Sequence, residues 1–330
     1  MGARPGRRDE PRLDARGGGG SILATLADVK RNRWARLAIL VPGAVVALLV
    51  LVLLARWLRE VPAVAAFMQA YPGETALPES APVGFPAWLG WQHFLNAFLM
   101  VLLIRSGWLI RTTTRQPAYW TRNNKGLLRT RKPPTKIGIH VWFHLSLDVF
   151  WILNGLVFAV LIFATGQWMR IVPTSWDALP NAVSVMIQYL SLDWPTENGW
   201  VNYNSLQVLT YFVTVFVAAP LAALSGLRLS PAWPTGWRRI NAFVPLAAAR
   251  AIHFPVMLYF VVFIVIHVTL VLTTGALRNL NHMYAARNDA GWLGFWMFAA
   301  SLVVIVVAWV AARPVILSSL AALTGKVSRR

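Results

Sequence analysis

Six long apolar blocks, separated by shorter polar and basic stretches, dominate the chain. They lie near residues 36–58, 89–110, 138–165, 203–227, 250–275 and 291–318. Each is long enough to cross a hydrocarbon layer of about 30 Å as a helix, the form in which one segment satisfies its own backbone polar groups. The pattern predicts an all-α fold: an integral membrane helix bundle with six transmembrane helices. Residues 1–35, with "RGGGGS" at 16–21, read as a disordered basic tail. The basic start runs into a long apolar span with no small-residue cleavage pattern, so no cleavable signal is expected. The connection 167–202 is too long for a turn. Its middle, Asn181 to Leu192, reads as a short helix lying on the membrane surface.

The charges between the blocks give an orientation. The first 36 residues carry nine Lys/Arg, the 111–137 connection carries eight with no acid, 228–250 carries four with no acid, and the final "GKVSRR" adds three. The connections 59–88, 167–202 and 276–290 together hold Arg59, Arg170, Arg278 and Arg287 against seven acids. The excess of positive charge on cytoplasmic segments therefore places both termini in the cytoplasm, in a bacterial inner membrane. Distributed in this way, the net charge of +19 reads as topology rather than as a nucleic-acid surface. Composition agrees: 57% of residues are hydrophobic and only 13% charged, where a soluble domain carries about a quarter. The chain has no cysteine, which excludes disulfides, thioether-linked haem and thiolate-held clusters. A redox cofactor here needs other ligands, chiefly histidine.

Five of the six histidines fall inside predicted spans: His93, His140, His144, His253 and His267. An ionisable group at that depth is costly and marks function by default. His253 and His267 are fourteen residues apart on one span, about 21 Å of helix rise and within roughly 40° of whole turns. One helix thus presents two imidazoles on one side, one in each leaflet. The predicted topology puts His93 near the outer face with His267, and His140 and His144 near the inner face with His253. Two bis-histidine sites stacked across the bilayer suit b-type haem, whose iron takes an imidazole on each axial side. Gly107, fourteen after His93, and Gly155, eleven after His144, return to their histidines' faces at the depth of the other site, where a flat macrocycle needs room. Gly155 does not also return to the face of His140, which favours His144 as the ligand, with His140 as the alternative. Arg250 is placed to meet a haem propionate or to reach the cytoplasmic interface. Arg105 has the same two readings. Asp148, one turn beyond His144, reads as a proton carrier or as an acid bonded to Asn154 or a serine. His282 reads as solvated.

The simpler readings are a histidine hydrogen-bonded between helices and a metal held by the i,i+4 pair of "HVWFH". A transporter with a histidine–aspartate proton relay would not need paired depths. A haem-free membrane anchor would tolerate loss of all four histidines.

Three stretches carry a family resemblance: "WQHFLNAFLMVLLIRSG" (91–107), "HLSLDVFWILNGLVF" (144–158) and "RAIHFPVMLYFVVFIVIHVTLVLTTG" (250–275). In them the chain resembles the bacterial cytochrome b561 and nickel-hydrogenase cytochrome b family, which includes the membrane subunits of formate dehydrogenase and thiosulfate reductase. The resemblance implies a four-helix di-haem core over 89–275, preceded by an extra span at 36–58 and followed by one at 291–318. It implies two b haems, His93 with His267 and His144 with His253. It also implies electron exchange with quinone and a periplasmic oxidoreductase subunit as partner. The stretches "PTSWDALPNA", "LDWPTENGWVNYNSLQ" and "APLAALSGL" resemble a subgroup that serves molybdopterin-dependent partners. Because the extra first span makes the core enter from the opposite side, which haem faces quinone stays open.

Overall fold

The structure, a computed structural model, describes residues 33–125, 129, 133–194, 198–234, 236 and 238–328. The predicted tail therefore lies almost wholly outside the described residues. Six helices are long and apolar enough to span a membrane. They are α1 (Arg33–Glu60), α3 (Ala87–Thr112), α4 (Ile139–Ala164), α6 (Ser205–Leu229), α8 (Leu246–Thr273) and α10 (Leu293–Ala311). Shorter helices are α2 (Pro62–Ala70), α5 (Ala178–Leu190), α7 (Arg238–Phe243), α9 (Ala276–Leu280) and α11 (Pro314–Ala322). The spans are apolar on their outer faces: Val149, Phe150, Leu153, Leu156 and Val160 of α4 are all exposed, as a helix facing lipid requires.

The spans start and stop within a few residues of their predicted limits, with one correction. The apolar block 291–318 is not one helix. α10 ends at Ala311, Arg313 is extended (φ −96°, ψ 154°), and Pro314 starts α11. Proline disfavours helical backbone in the residue before it and cannot donate to the preceding turn. The carbonyl of Ala312, next to the break, accepts a hydrogen bond from Arg105 Nη1 at 2.8 Å, and the Arg105 guanidinium lies 5.1 Å from the Trp309 ring. Arg105 thus serves the break between α10 and α11. Pro220 does not break α6, but the turns Val213–Ala218 just ahead of it are π-helical.

Two helix pairs form the centre. α3 packs along α4, and α6 packs along α8. Close backbone packing occurs within each pair and not between α8 and α3 or α4. Leu99, Leu102, Leu103 and Leu147 seal the α3–α4 seam, with Trp151 and Ala308 against them.

The two ends of the bundle are built differently. At one end, β1 (Tyr119–Arg122) pairs antiparallel with β2 (Ile137–Gly138) on one side and β3 (Gly325–Ser328) on the other. This sheet covers Ala118, Ile139, Leu317 and Ala321. It joins two segments that composition alone marks as a basic loop and a basic end.

The other end is a polar and aromatic cap made from α2, α5, a 3₁₀ turn (Gln167–Arg170) and a π-turn (Asn281–Ala285). The predicted surface helix is α5, whose own Asn181, Ala182, Ser184, Val185 and Ile187 form its buried face. Arg170 is 1% exposed and donates to the carbonyls of Gly84 (2.6 Å), Gly199 (2.5 Å) and Trp200 (3.3 Å). Its guanidinium also lies over Phe85 and Tyr203. Gly90 lets the π-turn approach α3: a Cβ there would meet the carbonyl oxygen of Met283 at 2.6 Å. The first span is tied to this cap at one end, where Arg56 and Arg59 bond Ser191 and Arg59 pairs with Asp193 at 2.6 Å.

His282 corrects the sequence reading. It is 3% exposed, not solvated. Its ring stacks on Phe85 at 5.7 Å and leans on Trp200 at 5.3 Å, and its Nε2 meets Asn288 Oδ1 at 3.0 Å. Burial, partly offset by the Asn288 bond, holds its pKa below the ordinary histidine value.

Candidate functional site

Four of the five intramembrane histidines meet in two pairs. His93 on α3 faces His267 on α8 with ring centroids 6.2 Å apart and planes at 52°. His144 on α4 faces His253 on α8, also at 6.2 Å, with planes at 82°. Fourteen residues of α8 put the pairs about 21 Å apart along the helix. Midway, Trp151 and Phe260 meet edge to face at 6.5 Å and separate the two sites.

His140 is the histidine left out. It is 5% exposed, its Nδ1 has no hydrogen-bond partner among the described residues, and it faces no second imidazole. The alternatives at the HVWFH stretch thus separate geometrically, since His144 is the one opposite His253.

The rings of the second pair are held by serines from neighbouring helices. Ser106 on α3 lies 2.7 Å from His144 Nδ1, and Ser225 on α6 lies 3.0 Å from His253 Nδ1. Each hydroxyl has one hydrogen, and each gives it to its own helix: Ser106 to Leu103 O at 2.9 Å, Ser225 to Leu221 O at 2.5 Å. With its hydrogen so placed, each serine oxygen can accept from Nδ1–H, beside the Leu103 and Ala222 carbonyls that the His144 and His253 rings also approach, and in that tautomer both Nε2 lone pairs are free to ligate. A glycine follows each serine. A Cβ on Gly107 would lie 3.5 Å from His144 Cε1, and one on Gly226 would lie 3.1 Å from His253 Cε1. The space at Gly107 is taken by the His144 ring itself, a more local use than the room for a macrocycle read from its spacing.

The first pair is set by aromatic packing. Phe263, one turn before His267, stacks on it at 5.5 Å and 9°, and Tyr211 meets it edge-on at 6.2 Å. Tyr284 of the π-turn meets His93 edge-on at 5.7 Å. His93 Nδ1 is buried with no hydrogen-bond partner among the described residues.

Of the remaining sequence candidates, Gly155 and Arg250 make no contact with the rings, whereas Asp148 borders both rings of the second pair. A Cβ added at Gly155 would meet nothing within 4 Å, so that face of α4 is open. Arg250 is exposed. Asp148 Oδ2 lies 3.9 Å from His144 Nε2, beyond hydrogen-bond reach, and bonds neither Asn154 nor a serine. Sequence reasoning missed Ser106, Ser225 and Gly226. The signal available for them was the repeat of one dipeptide, Ser106-Gly107 and Ser225-Gly226, on two helices flanking histidine-bearing ones.

The residues fit a b haem. Two imidazoles bound on opposite sides of one metal, each nitrogen about 2 Å from it, place their ring centroids about 6 Å apart, which is the separation of both pairs. The facing donors are all imidazoles with no thiolate among them, and the helices that carry each pair do not pack closely on each other.

The profile of the family described as "Prokaryotic cytochrome b561" matches residues 84–286, more than half of the chain. The match covers α3, α4, α6 and α8 and includes all four paired histidines. A search of curated proteins and a search of solved structures returned no match.

Proposed function

This chain belongs to the prokaryotic cytochrome b561 family, and from that premise we propose that it carries electrons through two b haems between a periplasmic oxidoreductase partner and the quinone pool. The family makes it a multi-pass membrane b-type cytochrome of electron transfer. The finer reading rests on one observation: two imidazole pairs, each at 6.2 Å, stand at two depths along α8. His93 and His267 would hold one haem, His144 and His253 the other.

Bound haem supplies one-electron transfer; the chain supplies ligands, orientation and a low-dielectric setting. The paired imidazoles would hold each iron. The buried leucines of the α3–α4 seam would give the site of His144 and His253 an apolar wall. Trp151 and Phe260 fill the interval between the sites. The basic sheet end and the acid-bearing cap support a cytoplasmic sheet end, with both termini in the cytoplasm of a bacterial inner membrane and the cap facing the periplasm. A molybdopterin-dependent enzyme docking on the cap would then meet the haem of His93 and His267 first. Arg250 at the start of α8 and the open face at Gly155 would serve a propionate and a ring edge.

A dithionite-reduced minus oxidised spectrum of the purified protein tests the reading. It predicts sharp α bands of bis-histidine b haem, bleached on addition of an oxidised quinone analogue. A protein without visible absorption would contradict it and leave a proton-relay transporter or a haem-free anchor.

A further inference from the structure

We propose that Ser106 and Ser225 are positioning residues for one haem site, each locking an axial imidazole as the Nδ1–H tautomer and together lowering that site's reduction potential. The inference rests on the two-haem reading above. Both serines spend their only hydrogen on a carbonyl of their own helix, Ser106 on Leu103 and Ser225 on Leu221. Each then accepts from an imidazole on the partner helix, His144 at 2.7 Å and His253 at 3.0 Å. A hydrogen bond accepted from Nδ1–H makes the ring a stronger donor through Nε2, which favours the oxidised iron. Because the rings face each other across 6.2 Å, both bonds act on the same iron.

The glycine after each serine completes the device. With Cβ positions 3.5 Å and 3.1 Å from the ring carbons, Gly107 and Gly226 let each imidazole lie flat enough on the neighbouring helix for the serine to reach it. The dipeptide works twice in one arrangement: serine and glycine on one helix of a pair, histidine on the other, in α3–α4 and again in α6–α8. The His93 and His267 pair has no such arrangement, and His93 Nδ1 has no partner among the described residues.

The test is a potentiometric titration of the purified protein, wild type against Ser106→Ala, Ser225→Ala, Ser106→Thr and Ser225→Thr. Threonine keeps a hydroxyl that can still bond its own helix. Wild type is expected to resolve into two components. Each alanine variant should raise the lower one, with about a tenfold change in the reduced-to-oxidised ratio at fixed potential, about 59 mV for one electron. Both variants must move the same component, and the threonine variants should titrate like wild type. Selective loss of half the haem in the alanine variants, with retention in the threonine variants, would support the same role. Unchanged titrations in haem-replete alanine variants, movement of different components by the two serines, or equal haem loss in alanine and threonine variants would overturn it. Those results leave the two-haem reading intact, whereas a wild-type protein without haem removes both.

Discussion

The two histidine pairs share a distance and little else. At one pair, hydroxyls from neighbouring helices fix each ring through a directed bond. At the other, Phe263, Tyr211 and Tyr284 hold the rings by stacking and edge contacts, which set a plane but leave the proton's position free. The difference follows position. The serine-held pair lies between the two helix pairs, toward the sheet end. The aromatic-held pair sits beneath a cap rich in rings. A symmetric helix scaffold can thus give one cofactor type two environments, and the levers are tautomer and hydrogen bonding at one site, packing at the other.

The comparison breaks most sharply at the ligands. His253→Ala should remove the haem of the serine-held pair and leave the other, and His267→Ala should do the reverse. Haem per polypeptide then falls by half in each, by pyridine haemochrome assay. An equal loss at both sites from either change would mean the pairs are not independent.

Next in size is the contrast between the two histidines of one helix. His144→Ala should cost one haem, whereas His140→Ala should retain both, because His140 faces no second ring. Haem loss in the second variant alone would reverse the assignment.

Crowding should separate the sites more finely. At Gly226 even an added methyl, 3.1 Å from His253 Cε1, must displace the ring. Gly226→Ala is expected to weaken haem retention at the serine-held site by about tenfold and to leave the other component of a redox titration where it is. A shift in both components would show that the crowding spreads beyond its own ring.

On the capped side, Arg170→Met should lower stability by about 3 kcal/mol through carbonyls left unpaired at Gly84, Gly199 and Trp200. Thermal melting in detergent reads this, with the aromatic-held haem released first. Tyr203 beside it stays a neutral phenol, its pKa pushed up to about 12 by burial against the pull of Arg170.

The smallest effect is a pH slope. Burial lowers the pKa of His282 in the folded protein, so the unfolded chain takes its proton first. The cap's stability should therefore fall as pH drops below about 6.5, the unfolded value, and go on falling until the folded ring protonates. Melting temperature against pH, wild type minus His282→Gln, should show that slope. Identical profiles would remove His282 from the account.

What is legible from sequence is what obeys helix periodicity. The depths of His93, His144, His253 and His267 follow from span limits and a rise per residue, so their pairing can be expected from the chain alone, and the rings do meet in that pairing. The serines are not legible because a serine in an apolar helix bonding its own carbonyl is common, and only the neighbouring helix reveals what its oxygen accepts. His282 misleads because it stands in a short polar connection. Its covers, Phe85 and Trp200, come from segments far along the chain. The small sheet escapes for a similar reason: Tyr119–Arg122 finds its partner at Gly325–Ser328, about two hundred residues away. The break before Pro314 is readable from the proline but is hidden by unbroken hydropathy on both sides of it.

The central claim is that each imidazole pair holds one iron. Haem stoichiometry of the purified protein, measured together with low-temperature electron paramagnetic resonance of its oxidised form, tests this most directly. Two haems per chain and two low-spin bis-imidazole signals are expected, one lost in His93→Ala and the other in His144→Ala. A single haem, or two that both survive these substitutions, would contradict it.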